Sequence, residues 1–226
     1  MWAVSLAVER SVYIREVIGS IPIPPTNFMT YKTHVSIGLT FSALVFLLLY
    51  QIQVQPVLIV LLIISTVIGS SAPDLDTPTG ELWDKIPAGS VFSKIINPIF
   101  IGGHRHLSHS FLGMIIISAF YLLLLKILFL AIPALSSVNF NFIYLAFLIG
   151  YGGHLFADMF TEMGVPLLFP LPYHFGIPPD PFGKLRIKTG KWFENLIIYP
   201  AVNITLLIII FFYIKNQNFL QSLLNR

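Results

Sequence analysis

The chain has no cysteine and very few charged residues. Only 10% of its 226 residues are charged, whereas 56% are hydrophobic, and the mean hydropathy is +0.82. The absence of cysteine excludes disulfides, thiolate metal ligands and cysteine nucleophiles. A soluble domain carries roughly 25% charged residues, so this deficit indicates a polytopic membrane protein instead.

Basic residues are too few and too scattered to form a nucleic-acid-binding surface. Thirteen Lys and Arg residues against ten Asp and Glu residues give a net charge of only +3. Nucleic-acid-binding domains mass their basic residues on one face, and no such concentration is present. We therefore expect no direct nucleic-acid partner, and the expected partner is the lipid bilayer.

Long apolar runs are what the chain has in abundance. A helix that crosses a bilayer needs about 20 consecutive apolar residues, and several runs approach that length. We predict an all-α fold, a polytopic bundle of about five transmembrane helices with a polar site at one membrane face. The predicted helices cover residues 35–51, 56–72, 110–132, 142–157 and 196–214.

The first 28 residues differ from the rest of the chain. They combine a short apolar stretch with four charges and three prolines, and the apolar part is too short to span a membrane. We interpret residues 1–28 as an N-terminal extension, with Met29 as an alternative natural start. Residues 29–226 are predicted to form one integral-membrane domain.

The loops between the predicted helices alternate in character. The loops at 73–109 and 158–194 are long and polar, whereas those at 52–55 and 133–141 carry no charge. With five helices, both long loops fall on the side of the N-terminus, and the positive-inside rule places that side in the cytoplasm. Its ten basic residues, against two on the other side, are Arg10, Arg15, Lys32, Lys85, Lys94, Arg105, Lys184, Arg186, Lys188 and Lys191.

Histidines and aspartates occur where the apolar runs meet these polar loops. Imidazoles and carboxylates are the usual ligands of Zn²⁺ and Mn²⁺, and proteins rarely keep them beside a bilayer without a function. His154 and Asp158 share one helix face at i and i+4. Asp74 and Asp76 follow a helix C-terminus, where the macrodipole disfavours anions and a nearby cation would compensate. The pattern predicts a metal site.

The order of the motifs resembles the YdjM family of LexA-binding, inner-membrane-associated, metal-dependent hydrolases. The matching motifs are Thr33-His34, Pro73-Asp74-Leu75-Asp76, His104-Arg105-x-x-Ser108-His109-Ser110 and His154-x-x-x-Asp158 followed by Gly164-Val165-Pro166-Leu167-Leu168, within residues 29–195. The resemblance implies a prokaryotic plasma (inner) membrane protein with a hydrolytic metal centre. It marks as metal ligands His34, Asp74, Asp76, His104, His109, His154 and Asp158.

Two further features qualify the resemblance. The family often has glycine where this chain has His106, so His106 is an additional imidazole and a weaker candidate ligand, as is His174. The ordering of His and Asp is also similar, more distantly, to that of zinc-dependent phospholipase C enzymes.

We therefore expect a membrane-embedded metal-dependent hydrolase that acts on a phosphoester or lipid-borne substrate at the cytoplasmic face. One or two divalent ions, Zn²⁺ or Mn²⁺, would activate water. Asp76 or Glu162 would accept its proton, and Arg105 and Lys32 would bind phosphate.

Two other functions stay open at this stage. The first is a metal-binding or metal-transport protein, although transport sites usually lie near the bilayer midplane and Lys126 is the only charged residue well inside a predicted span. The second is a non-catalytic membrane scaffold that docks a cytosolic regulator, as the family's LexA-binding description implies.

Overall fold

The computed structural model describes residues 29–49, 55–76 and 106–224, with side chains as far as residue 216. These ranges contain five long helices and no strand beyond two isolated bridges. The predicted all-α membrane bundle is confirmed. The helices are α1 (Tyr31–Ala43, continued by a π-helical turn, Leu44–Leu49), α2 (Pro56–Ser71), α3 (Phe111–Ala131), α4 (Phe140–Met159) and α5 (Tyr199–Leu224, preceded by a π-helical turn, Glu194–Ile198).

Local sequence explains where three of these helices begin. Pro56 occupies the first turn of α2, where its missing N–H would have no helical partner. Ser110 caps α3 by accepting a hydrogen bond from the Gly113 N–H at 3.0 Å. Asn139 caps α4 by accepting from the Asn141 N–H at 3.0 Å. Such caps satisfy amides that the helix itself leaves unpaired.

Within the described ranges, four helices are long and apolar enough to cross a membrane. They cover Tyr31–Leu49, Phe111–Ala131, Phe140–Met159 and Glu194–Asn216, whereas Pro56–Ser71 has only 16 residues. At 1.5 Å per residue α2 is about 24 Å long, less than the roughly 30 Å hydrocarbon core. The chain is thus a multi-pass membrane protein in which α2, predicted as a fifth span, is the shortest helix of the bundle when α1 is counted with its π-helical turn.

Helix α4 lies at the centre of the bundle and packs against α1, α2 and α3, while α5 packs against α1. In an apolar 18-residue stretch of α4, half of the residues are buried, but in the corresponding stretch of α3 only 11% are. Helix α3 therefore presents most of its surface to lipid. Helices α2 and α4 approach closely at Gly150, where an added Cβ would strike the Thr66 carbonyl oxygen. Small residues commonly permit such close packing between membrane helices.

The alternation of helix direction brings distant parts of the chain to one end of the bundle. The start of α1, the end of α2, the start of α3 and the end of α4 lie together there. A short 3₁₀ segment, Pro73–Asp76, follows α2 at this end. The segment after α4 folds back on itself through backbone pairs between Val165 and Phe175, both 2.8 Å.

Candidate metal centre

Four chain segments bring six of the predicted site residues into one buried cluster. His34 lies in the first turn of α1, because α1 begins at Tyr31 rather than at residue 35, where the predicted span begins. His154 and Asp158 lie in the last turns of α4. Asp74 and Asp76 come from the 3₁₀ segment after α2, and His109 immediately precedes α3.

Four ligand atoms of this cluster lie close together, because each of two carboxylates approaches both histidine Nε2 atoms. The His109 Nε2 atom is 3.3 Å from His154 Nε2 and 3.3 Å from Asp158 Oδ2. His154 Nε2 is 3.5 Å from Asp158 Oδ2, and Asp74 Oδ1 lies 3.6 Å from His154 Nε2 and 3.7 Å from His109 Nε2. Ligands held about 2.0–2.1 Å from a tetrahedral ion are about 3.3–3.4 Å apart, so the spacing suits a small divalent ion.

The proton of His154 is fixed on the far side of its ring. His154 Nδ1 lies 2.7 Å from the Ser70 carbonyl oxygen, which can only accept a hydrogen bond, so Nδ1 carries the proton. In the neutral imidazole, Nε2 therefore presents a lone pair to the centre of the cluster. Hydrogen bonds of this kind orient metal-binding histidines in proteins.

The ring of His109 is oriented in the same way by two residues that are not at the centre. The Ser108 hydroxyl donates its single proton to Asp76, and the hydroxyl oxygen lies 3.0 Å from His109 Nδ1. His109 Nδ1 must then be the donor to Ser108, so its Nε2 also presents a lone pair. Burial lowers the pKa of His109 below its usual range, in spite of the neighbouring Asp158, and this favours the neutral, metal-binding form.

The described geometry therefore brings potential acceptor atoms of the cluster face to face. When both imidazoles are neutral, their lone pairs at 3.3 Å and the buried Asp158 carboxylate repel one another in a medium of low dielectric. A bound cation removes this repulsion. The donor set, imidazole nitrogen and carboxylate oxygen without sulfur, is one that Zn²⁺ and Mn²⁺ accept, so the residues present fit a divalent ion.

His34 extends the cluster beyond this first group of ligands. Its Nε2 atom is 3.6 Å from Asp158 Oδ1, and its ring stacks on that of His154 at 3.7 Å between centroids. Asp158 thus faces His34 with one oxygen and His109 and His154 with the other. Two overlapping groups of potential ligands result, His34-His154-Asp158 and Asp74-His109-His154.

Asp74 is the most accessible member of the cluster. Its side chain is 25% exposed, whereas those of His109 and His154 are fully buried. Asp76, predicted both as a ligand and as a proton acceptor, instead faces the Nδ1 side of His109 at 3.8 Å.

The remaining predicted site residues lie elsewhere or outside the described ranges. His104 and Arg105 belong to residues 77–105, which the structure does not describe. Glu162 is paired with Lys188 at 3.8 Å, and its side chain is 38% exposed. Lys32 is exposed, with Nζ 5.0 Å above the Tyr199 ring. His106 and His174 are exposed, and His106 contacts the Phe169 ring edge to face.

The structure also shows supporting roles that the sequence did not predict. Ser108 and Ser70 orient the two central histidines, as described above. Glu194 is fully buried and accepts hydrogen bonds from the Thr30 amide, the Thr30 hydroxyl and the Thr33 hydroxyl at 2.7–2.8 Å. It ties the residue next to His34 to the start of the last helix. The only sequence signal for Glu194 was an acidic residue at the edge of an apolar run.

Comparison with known proteins identifies relatives of this chain in three bacteria. The chain is 28% identical over 170 residues to the uncharacterized protein YvsG of Bacillus subtilis, covering 75% of this chain and 88% of that protein. It is 32% identical over 115 residues to the inner membrane proteins YdjM of Escherichia coli and Shigella flexneri. That match covers 50% of this chain and only about half, 52%, of the length of those relatives.

No solved structure matches the chain. The family model described as YdjM inner membrane protein matches residues 29–219, which include the described cluster and the described helices except the last five residues of α5. The resemblance inferred from the motifs is thereby confirmed. The chain belongs to the YdjM family of inner membrane proteins.

Proposed function

We propose that this protein is a metal-dependent hydrolase that acts on a phosphoester in or beside the membrane. The observation that carries the proposal is the approach of both Asp158 and Asp74 to the Nε2 atoms of His109 and His154, at 3.3–3.7 Å. Structural metal sites are closed by protein ligands, whereas catalytic sites keep one position open. The exposure of Asp74 supports the second type.

Each residue of the cluster has a distinct task in this proposal. His109, His154, Asp158 and Asp74 would hold one ion, and His34 with the second oxygen of Asp158 would complete a site for another, with His104 as a further candidate ligand. Such ions supply charge stabilisation at phosphorus and an acidified water near neutral pH. Asp76 and Ser108 hold His109 in its metal-binding tautomer. The candidate proton acceptors are Asp76, which contacts the cluster, and Glu162, which does not.

The position of the cluster supports a membrane-borne substrate. It lies where the ends of four helices meet, so a phosphate at lipid headgroup level is within reach while the substrate's hydrocarbon stays in the bilayer. Lys32, two residues before His34, and Arg105 are the proposed phosphate-binding residues. The location at one end of the bundle argues against a transport path, since transport sites usually lie near the midplane.

We further propose that the cluster faces the cytoplasm. The support is the ten-to-two distribution of Lys and Arg between the two sides, which follows the positive-inside rule. A reporter enzyme active only outside the membrane, inserted after Lys184 and in a second protein after Leu224, tests this. We expect activity only in the second fusion. Activity in the first fusion alone would place the cluster on the outer face.

The hydrolytic activity is tested with protein purified in detergent. We expect chelation to abolish hydrolysis of a phospholipid or a soluble phosphodiester, and Zn²⁺ or Mn²⁺ to restore it. The matched variants are His154→Ala, which removes a proposed ligand, and His106→Ala, which removes an exposed imidazole. Absence of hydrolysis by metal-loaded protein would favour the non-catalytic scaffold, in which the ion is structural and a cytosolic regulator docks nearby. Metal flux in proteoliposomes would favour the transporter.

A further inference from the structure

An apolar groove of about 390 Å³ runs through the bundle between α1, α2 and α5. Its volume lies within the 300–1,000 Å³ typical of small-molecule sites. Among the residues that line it are Leu39 and Phe46 of α1, Leu62 and Thr66 of α2, and Ile210 of α5. Helix α1 packs against both α2 and α5, and the proposed metal centre does not use the groove.

We infer that this groove binds one acyl chain of a bilayer phospholipid whose phosphoester is presented to the metal centre. The inference rests on the proposed function and names its substrate class. The groove would select lipids by their hydrocarbon portion, while the cluster acts on the headgroup side. Binding energy gained far from the reacting bond can then position that bond.

The groove begins close to the metal centre. Leu39 follows His34 by five residues on α1, which is about 7.5 Å along the helix axis. Thr66 precedes by one turn the Ser70 carbonyl that orients His154. The two helices that lead into the groove are therefore the same two that position the cluster.

The length of the groove matches a single leaflet of the bilayer. Its lining on α1 runs from Leu39 to Leu47, which is about 12 Å at 1.5 Å per residue. Half of a hydrocarbon core of roughly 30 Å is about 15 Å. An acyl chain, which ends within its own leaflet, therefore suits the groove better than a long polyprenyl chain.

The chemistry of the lining also favours an uncharged chain. None of the described residues that line the groove is charged, and two of its polar side chains, Ser42 and Thr66, hydrogen-bond to each other at 2.8 Å. The remaining wall is mainly aliphatic and aromatic. Phe46 and Leu47 belong to the π-helical turn that extends α1, a departure from α-geometry that is frequent at functional sites.

The groove is continuous with the surface that faces the bilayer. Two of its lining residues, Ile63 of α2 and Ile214 of α5, are 47% and 51% exposed. Both lie within apolar helices, where the surrounding medium is lipid. An acyl chain can thus enter sideways from the bilayer, without leaving hydrocarbon.

The test uses a phosphatidylcholine with a photoreactive group in the middle of one acyl chain. Protein reconstituted in phospholipid nanodiscs is irradiated, and the labelled peptides are mapped by mass spectrometry. The variants Ala43→Phe and Ile210→Trp add bulk at two half-buried lining positions. Ala119→Phe is the matched control, because Ala119 is exposed on α3, outside the groove. Thermal unfolding of each variant identifies any that does not fold.

We expect labelling concentrated on the α1, α2 and α5 residues of the groove, and a several-fold loss in at least one folded groove variant but not in Ala119→Phe. Labelling spread evenly over lipid-facing residues, or unchanged in folded groove variants, would overturn the inference. The experiment is repeated with chelator and with His154→Ala. Groove labelling without hydrolysis would then refute the proposed function alone, whereas hydrolysis without groove labelling would refute only the acyl-chain site.

Discussion

At the residue level, the cluster is organised by side chains and carbonyls that are not themselves at its centre. The Ser70 carbonyl fixes the proton of His154, and the Ser108–Asp76 pair fixes that of His109. Second-layer contacts of this kind set both the tautomer and the ring direction of metal-binding histidines. Asp76 is therefore interpreted as a positioning residue, although the sequence motif alone made it a candidate ligand.

Asp76→Asn should weaken metal binding without abolishing it. The amide keeps the size of the side chain but removes the charge that holds the Ser108 hydroxyl and, through it, His109. Loss of such a partner typically lowers metal affinity about 10–100-fold. Competition with a chromophoric chelator measures the affinity. Asp180→Asn, whose side chain is 82% exposed, is the control. Equal affinities for the two variants would show that Asp76 does not act through His109.

At the level of whole elements, two contacts hold the helices that carry the ligands. Helices α2 and α4 pack closely at Gly150, and this contact places the Ser70 carbonyl beside His154 Nδ1. Glu194 joins the start of α1 to the turn that leads into α5 and thereby holds the segment next to His34. Its second carboxylate oxygen accepts from the Gly190 N–H at 2.6 Å. Both contacts link residues far apart in sequence, so no local pattern could have revealed them.

Gly150→Ala should loosen the α2–α4 contact and reduce metal binding. The new Cβ would strike backbone atoms of Thr66 and Ser70, and overpacking of this kind costs about 1–3 kcal/mol. Gly152→Ala is a matched control two residues away, because its Cβ would meet nothing within 4 Å. Thermal unfolding in detergent and bound metal are measured for both. If Gly152→Ala lost as much stability and bound metal as Gly150→Ala, the α2–α4 contact would not be the cause of the loss.

Glu194→Gln should destabilise the fold, since a buried anion that accepts four hydrogen bonds is replaced by a neutral amide. Hydrogen bonds to charged groups contribute about 1.5–3 kcal/mol each. Glu162→Gln removes only the exposed pair with Lys188, and such surface pairs contribute about 0–1 kcal/mol. The free energy of unfolding distinguishes them. Similar values for both variants would contradict a structural role for Glu194.

At the level of the whole molecule, the sequence predicted the features that depend on residues close together in the chain. Hydropathy is a property of neighbouring residues, so the apolar runs predicted the helices. Their alternating direction predicted that His109, His154 and Asp158 would meet. The inclusion of His34 in α1 depended on a helix end, which apolar runs define poorly, whereas α2 was predicted to within one residue of its observed end. Ser108 and Glu194 act through contacts over long sequence distances, which a single sequence does not record.

The described cluster has the spacing of a divalent-metal site, and metal content tests this most directly. The protein is purified with Zn²⁺ and Mn²⁺ supplied during expression, and metal per chain is measured by mass spectrometry. We expect one or two ions per chain in the unaltered protein and a loss of metal in His154→Ala, while His106→Ala keeps it. A folded, unaltered protein without bound metal, or full occupancy in His154→Ala, would contradict the assignment.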